Sequence, residues 1–177
     1  MKQKNIKQTI KKYFLNSPTA KLRVREIERV LKLPLPSIIR YCKELEKENI
    51  LTIIKIGSIN FYTANKASEK YILEKKLHNI KQLYESGLIE YLKQELSNPP
   101  IVLFGSFAKG EDTEESDIDI YIETPSNKKV DFNKFNKILK KEIQSFQHKS
   151  LNNISNPHLA NNIINGITLN NYIEVFK

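Results

Sequence analysis

Residues 101–123 read IVLFGSFAKGEDTEESDIDIYIE, and this stretch decides the fold of the C-terminal part of the chain. Residues 101–104 form a short apolar run followed by a turn, a pattern typical of a buried strand. Gly105-Ser106 supplies the turn, an acidic loop follows, and residues 116–123 then alternate polar and apolar side chains. The stretch therefore predicts a strand, a glycine turn and a second strand.

The second strand places two carboxylates together. Asp117 and Asp119 are two residues apart, so on a strand their side chains lie on the same face. Two carboxylates on one face suit Mg²⁺, a hard cation that takes oxygen ligands and usually bridges to substrate phosphates. The Gly105-Ser106 turn leads from a strand into a helix, where main-chain N–H groups and a hydroxyl come close enough to bind a phosphate.

Gly105-Ser106, Gly110 and Asp117-x-Asp119, at this spacing, resemble the signature of the minimal nucleotidyltransferases of the DNA polymerase β superfamily. The resemblance implies an α+β fold for this part of the chain, with a polymerase β-like mixed sheet and helices. It implies that Gly105 and Ser106 bind a nucleoside triphosphate and that Asp117 and Asp119 are catalytic residues that bind Mg²⁺. The implied activity is transfer of a nucleotidyl group to a hydroxyl on a protein, RNA or small molecule.

One feature of that family is missing at the expected place. The family uses a third carboxylate on a later strand as metal ligand and general base, but the strand predicted over residues 143–148 contains no Asp or Glu. Glu142, directly before it, is the candidate replacement, and His148 is a candidate to approach the cleft or lie on the surface. Without a third carboxylate, nucleotide binding would survive while turnover fell. The acidic loop is expected to be solvated: Glu111, Asp112, Glu114 and Glu115.

The net charge of +9 is unevenly distributed. Residues 1–65 contain 14 Lys and Arg against 5 Asp and Glu, whereas residues 66–177 contain 15 of each. A basic segment beside a neutral one predicts a phosphate-binding module joined to a second domain. The alternative is a general bias toward lysine in the composition.

The basic segment has a recognisable order of elements. Apolar spacing predicts helices over residues 3–15, 24–31 and 36–49, and two β-rich runs, 51–56 and 59–63, flank Gly57-Ser58 as a hairpin. Three helices and a hairpin resemble the winged helix-turn-helix family, which implies binding to double-stranded DNA. The resemblance assigns six residues to the DNA interface, the last two on the wing: Ser37, Ile39, Arg40, Lys43, Lys55 and Asn60. A protein-interaction module is the alternative.

These observations divide the chain into a winged helix over residues 1–65, a connecting helix over 66–97 and a nucleotidyltransferase domain over 98–177. The connecting helix follows i+3/i+4 apolar spacing, which Gly87 could interrupt. It could act as a spacer, as a lid or as the surface of a homodimer. Asn98-Pro99-Pro100 ends it.

Composition narrows the location and the class of function. Cys42 is the only cysteine, no apolar run is long enough to span a membrane, and no apolar segment follows the basic N-terminus, so a cytoplasmic protein is expected. No Cys or His residues have zinc-site spacing. Three functions remain open: a Mg²⁺-dependent enzyme, a DNA-binding regulator whose transferase domain senses nucleotide or is degenerate, and one half of a toxin–antitoxin-like pair that acts on a protein partner.

Overall fold

The structure, a computed structural model, describes residues 6–175. The chain divides into two compact units, Met1–Lys75 and Lys76–Lys177. The three-part division with boundaries after residues 65 and 97 stays a prediction. Among residues 6–175, no helix is both long enough and apolar enough to cross a membrane.

The first unit consists of three helices followed by a β-hairpin. The elements are α1 (Ile6–Asn16), α2 (Val24–Leu31), α3 (Leu35–Lys47), β1 (Leu51–Ile56) and β2 (Ile59–Ala64). Pro36 lies in the first turn of α3, where its missing N–H leaves no hydrogen bond unmade. β1 and β2 pair antiparallel, and Leu22 forms an isolated bridge to Tyr62 on the outer side of β2.

The core of the first unit is built from one face of each helix. Ile38, Cys42 and Leu45 of α3 are fully buried, as their i, i+4, i+7 spacing predicts, and Tyr71 joins the same cluster. Val30, which helical spacing assigns to the buried face of α2, is 52% exposed, so that assignment was wrong. In the last turn of α2, the neighbouring Leu31 packs against the core in its place.

The predicted connecting helix is two helices, α4 (Glu69–Glu85) and α5 (Leu88–Glu95). Gly87 separates them with a φ of +79°, a left-handed conformation that costs glycine little and other residues more. The apolar i+3/i+4 spacing continues through the break, which is why periodicity predicts one helix where the backbone forms two.

The second unit is a four-stranded mixed sheet with helices, which confirms the predicted α+β class. Its elements are β3 (Ile101–Phe104), α6 (Gly105–Lys109), β4 (Ile118–Glu123), α7 (Asn133–Leu139), β5 (Ile143–His148), α8 (Pro157–Ile164) and β6 (Ile167–Asn170). The strand order is β5-β4-β3-β6, with β4 and β5 parallel and the other pairs antiparallel. The sequence YIEVF at residues 172–176 predicts a short strand-like run. The last strand lies earlier because residues 167–170 pair with β3, and residue 176 lies outside the described residues.

The two faces of this sheet carry different side chains. Alternate residues such as Leu103, Ile118 and Ile120 enter the larger core, which includes residues of α5, α6 and α7. Val102 and Tyr121 lie on the opposite face in a smaller cluster with α8. By the same alternation Asp119 belongs to this second face, at the start of β4.

Candidate active site

The turn after β3 brings the main chain of Gly105 into contact with the side chain of Asp119. Phe104, the last residue of β3, pairs with Asp119 of β4. Gly105 follows with a φ of +72°, and α6 begins there with Ser106 as its second residue. A Cβ atom on Gly105 would lie 2.1 Å from Oδ2 of Asp119, so any other residue here would displace that carboxylate and would also strain the left-handed backbone. The carboxylate of Asp119 and the Gly105-Ser106 turn are therefore in direct van der Waals contact.

The two aspartates form an electrostatically unfavourable pair. Burial raises the pKa of the half-buried Asp119 above its usual value, and the negative charge of Asp117 raises that pKa further. A cation bound between the two carboxylates would offset both effects, because it stabilises the charged form of each. The pair therefore suits a hard divalent cation bound by oxygen ligands.

The donor set is limited to two carboxylates. Across residues 6–175, no group of three or more His, Cys, Asp or Glu side chains is arranged to hold a metal ion. Mg²⁺ is usually held by one or two carboxylates, with water and substrate phosphates completing the shell. Asp117 and Asp119 fit that arrangement, in which the nucleotide supplies the remaining ligands.

Gln144 lies where the neighbouring strand meets the aspartates. It pairs with Asp119 in the parallel register of β4 and β5. Its Nε2 donates a hydrogen bond to Oδ2 of Asp117 at 2.5 Å. A neutral donor therefore contacts the acidic pair from the strand on which the sequence analysis looked for a third carboxylate.

The two candidate replacements for that carboxylate lie elsewhere. The main-chain carbonyl of Glu142 accepts a hydrogen bond from the N–H of Ile118 at 2.8 Å, while its side chain is exposed. His148 is paired with Glu123 at the other end of β5, about 13 Å along the strand from Gln144. The expectation that His148 could approach the cleft was wrong, because the parallel register carries it away from the aspartates.

The acidic loop between α6 and β4 is not uniformly solvated. Glu111 and Glu115 are exposed as expected, but Asp112 is 1% exposed, so its predicted solvation was wrong. Its carboxylate accepts a hydrogen bond from Nδ2 of Asn79 and forms an ion pair with Lys141. Sequence reasoning missed Asn79 and Lys141, because both partners are about 30 residues away and no local pattern signals them.

The first unit brings together only part of the predicted DNA interface. Ile39, Lys43 and Asn60 line a groove of about 620 Å³ between α2, α3 and the hairpin. Lys55 is exposed and pairs with Asn60 across the hairpin. The rest of the groove lining is formed by Arg23, Val24, Arg25, Arg29, Ile53 and Tyr62.

Arg40 and Ser37 do not line this groove. The Arg40 guanidinium forms an ion pair with Glu44 at 3.0 Å and lies over the ring of Tyr41. Arg23, Arg25 and Arg29 were missed as candidates. The run RVREIER over residues 23–29 carries the signal that could have found them.

Comparison of the sequence with known proteins identifies the family to which the residues of this site belong. A model described as "Nucleotidyltransferase domain" matches residues 85–153, which include Gly105, Ser106, Asp117, Asp119 and Gln144. A protein of Methanocaldococcus jannaschii named "Putative protein adenylyltransferase" is 36% identical over 86 residues, which cover 45% of this chain and 85% of that protein. The chain belongs to the nucleotidyltransferase domain family. No solved structure matches it significantly.

The family match lies in the second unit of this nucleotidyltransferase and not in the first. The expected enzyme class is confirmed, and the family signature falls on the site built from β3, α6 and β4. Residues 1–75, including the basic groove, lie outside the matched family region. Their function is therefore argued from their own structure.

Substitution of Gly105 tests the close approach of Asp119. Gly105→Ala should destabilise the fold by roughly 1–2 kcal/mol through its left-handed backbone, and should also displace the Asp119 carboxylate. We expect loss of Mg²⁺-dependent nucleotide binding, measured by calorimetry with a non-hydrolysable nucleoside triphosphate.

Gly87→Ala is the matched control. Gly87 has a φ of +79°, and a Cβ there meets nothing within 4 Å. It should show the same backbone cost in urea unfolding but wild-type nucleotide binding. Equal nucleotide binding by both variants would contradict the role assigned to Gly105.

Proposed function

We propose that this chain is a Mg²⁺-dependent nucleotidyltransferase that moves a nucleotidyl group from a nucleoside triphosphate to a hydroxyl acceptor. The observation that carries the proposal is the contact between the Asp119 carboxylate and Gly105, with Asp117 beside it. This contact places the Asp119 carboxylate against the turn that the family match covers, and the charge of Asp117 acts on that carboxylate.

Each residue of the site has a part in this reaction. Gly105, without a side chain, leaves its main chain accessible to the triphosphate, and the Ser106 hydroxyl is placed to contact a phosphate oxygen. Asp117 and Asp119 would hold Mg²⁺, which would neutralise phosphate charge while the acceptor attacks the α-phosphate in line and pyrophosphate leaves. The half-buried position of Asp119 limits competition from water for that ion.

The name of the archaeal relative suggests the donor and the acceptor. That protein is named as a protein adenylyltransferase, so we propose ATP as donor and a protein hydroxyl as acceptor for this chain. Modification of a partner protein agrees with the hypothesis that this chain is one half of a toxin–antitoxin-like pair. The acceptor would then be a side chain of Ser, Thr or Tyr, the hydroxyl-bearing residues.

The proton of the acceptor hydroxyl has no carboxylate base in this arrangement. Gln144 carries a neutral amide, which does not accept a proton at neutral pH, and the Glu142 side chain is exposed. General base catalysis contributes about 10²–10⁴-fold to a rate. We therefore propose a slow transferase in which solvent or the substrate takes the proton.

Removal of both aspartates tests the proposed metal and nucleotide site. Asp117→Asn with Asp119→Asn should abolish Mg²⁺-dependent binding of a non-hydrolysable ATP analogue and transfer of labelled nucleotide to proteins of a cell extract. Glu115→Gln with Asp131→Asn removes two exposed carboxylates and should change neither measurement. Wild-type nucleotide binding by the aspartate double variant would contradict the site.

Gln144→Glu tests the explanation for slow transfer. The substitution keeps the side-chain length and adds a carboxylate beside Asp117, so it should tighten binding of Mn²⁺ and raise the transfer rate by about 10-fold or more. Glu142→Gln should leave the rate unchanged, because Glu142 does not join the two aspartates in a metal-binding group among residues 6–175. A rate that falls on Glu142→Gln would mean that Glu142, and not position 144, supplies the base.

A second function, binding of duplex DNA by residues 1–65, is favoured by the basic groove. Four cationic side chains line the groove, and one of them, Arg23, forms an ion pair with Glu26 at 2.8 Å. The order of three helices and a hairpin is that of a winged helix, in which α3 would enter the major groove. We propose that Ile39 and Lys43 of α3 face the bases and that Lys55 and Asn60 contact the backbone.

The structure also supports phosphate contacts from α2. Arg25 and Arg29 are exposed and lie one turn apart on the helix that precedes α3. The first helix of a helix-turn-helix pair crosses the DNA backbone. The two guanidinium groups are therefore placed to contact phosphates beside the proposed recognition helix.

The salt dependence of DNA binding tests this second function. The affinity of the full chain for duplex DNA should fall linearly on a log–log plot against salt. Arg25→Ala with Arg29→Ala should reduce the slope by about 2, which corresponds to two phosphate contacts. Lys137→Ala, on an exposed surface of the second unit, should leave the affinity and the slope unchanged. If the full chain does not bind duplex DNA at about 50 mM salt, the result would indicate that the first unit is a protein-interaction module.

A further inference from the structure

A buried ammonium group lies near the start of β4, which Asp117 directly precedes, and of β5, which carries Gln144. Lys141 occupies the three-residue connection between α7 and β5, and its side chain is 10% exposed. Its Nζ donates to the main-chain oxygens of Thr113 and Ser116 and lies 3.5 Å from Oδ2 of Asp112. A lysine ammonium has three N–H donors, so these three oxygens match its full capacity.

The partner of this ammonium is fixed from a second direction. Nδ2 of Asn79 donates to Oδ1 of Asp112 at 2.6 Å and to the carbonyl of Phe107 at 2.8 Å. Lys141 Nζ also lies 5.9 Å from the centre of the Phe107 ring. The network therefore joins α6, the loop over residues 111–116 and the beginning of β5.

Two of these contacts bear directly on the active site. The Ser116 carbonyl belongs to the peptide unit that leads into Asp117, so Lys141 fixes the orientation of that peptide. Gln144, three residues after Lys141, donates to the Asp117 carboxylate. Both the main chain before Asp117 and the side chain that contacts it are anchored through the same short connection.

We infer that Lys141 is a positioning residue for Asp117, holding the loop over residues 112–116 so that the Asp117 carboxylate can share a divalent cation with Asp119. The inference rests on the proposed function of the two aspartates. Removing the ammonium would take a cationic partner from the buried Asp112 carboxylate and a donor from the carbonyls of Thr113 and Ser116. The loop would then adopt a conformation in which these oxygens are hydrated. The main chain before Asp117 would no longer be held in one position.

The test uses the full chain with Lys141→Met and the control Lys137→Met, which removes an exposed ammonium from α7. Binding of Mn²⁺ with a non-hydrolysable ATP analogue is measured by electron paramagnetic resonance, at a temperature where circular dichroism shows each variant folded. Loss of a residue that orients a metal ligand typically costs 10–100-fold in metal affinity. We expect Lys141→Met to weaken Mn²⁺ binding by at least about 10-fold and Lys137→Met to leave it unchanged.

Amide hydrogen exchange without any ligand gives an independent readout. Peptides covering residues 112–119 should exchange faster in Lys141→Met, whereas peptides from α5 should exchange at the wild-type rate. Faster exchange with an unchanged Mn²⁺ affinity would make the ion pair purely structural and would overturn the inference, as would wild-type values in both measurements.

Two further outcomes are also decisive. If Lys141→Met fails to fold, Asp112→Asn, which keeps the side-chain shape, replaces it; it should show the same two changes in smaller degree, and wild-type behaviour would overturn the inference. If wild-type protein itself binds no Mn²⁺ with nucleotide, the proposed function fails. The exchange comparison then decides alone whether Lys141 orders this loop.

Discussion

The site depends on one close approach, that of the Asp119 carboxylate to the α-carbon of Gly105. The antiparallel register of β3 and β4 pairs Phe104 with Asp119, so the next residue after β3 must pass directly beneath that carboxylate. A side chain at position 105 would occupy the space that Oδ2 fills. Sheet register, the left-handed turn and the start of α6 are therefore linked through a single contact, and the turn that we propose to bind phosphate stays beside Asp119.

Electrostatics then determine what this contact can bind. Two neighbouring carboxylates, one of them half-buried, disfavour the charged state of Asp119, and a hard divalent cation reverses that preference. The Gln144 amide relieves part of the repulsion by donating to Asp117, but it brings no negative charge of its own. Position 144 therefore carries a neutral amide, and among residues 6–175 no third acidic, His or Cys side chain joins the two aspartates.

The positive charge of the first unit is concentrated on one side of α3. Glu44 and Glu48 form ion pairs with Lys7 beside α1, and Glu44 also pairs with Arg40. The groove beside α2 and the hairpin is lined by four cationic side chains, of which Arg23 is paired with Glu26, and otherwise by uncharged residues. Local neutralisation on one side of α3 thus leaves the positive field concentrated on the other, which is the arrangement that a polyanion would recognise.

The sequence by itself determined the elements and the main donors: strands at residues 101–104 and 143–148, the α+β class, the glycine turn, and two aspartates on one face. These follow from local periodicity and from glycine, whose signals extend over a few residues. Tertiary structure alone decided which distant side chains meet them. Strand pairing placed Gln144 against Asp117 and carried His148 away, and the burial of Asp112 depends on Asn79 and Lys141, each about 30 residues distant. No local pattern encodes such contacts, because they arise only when separate segments share one core.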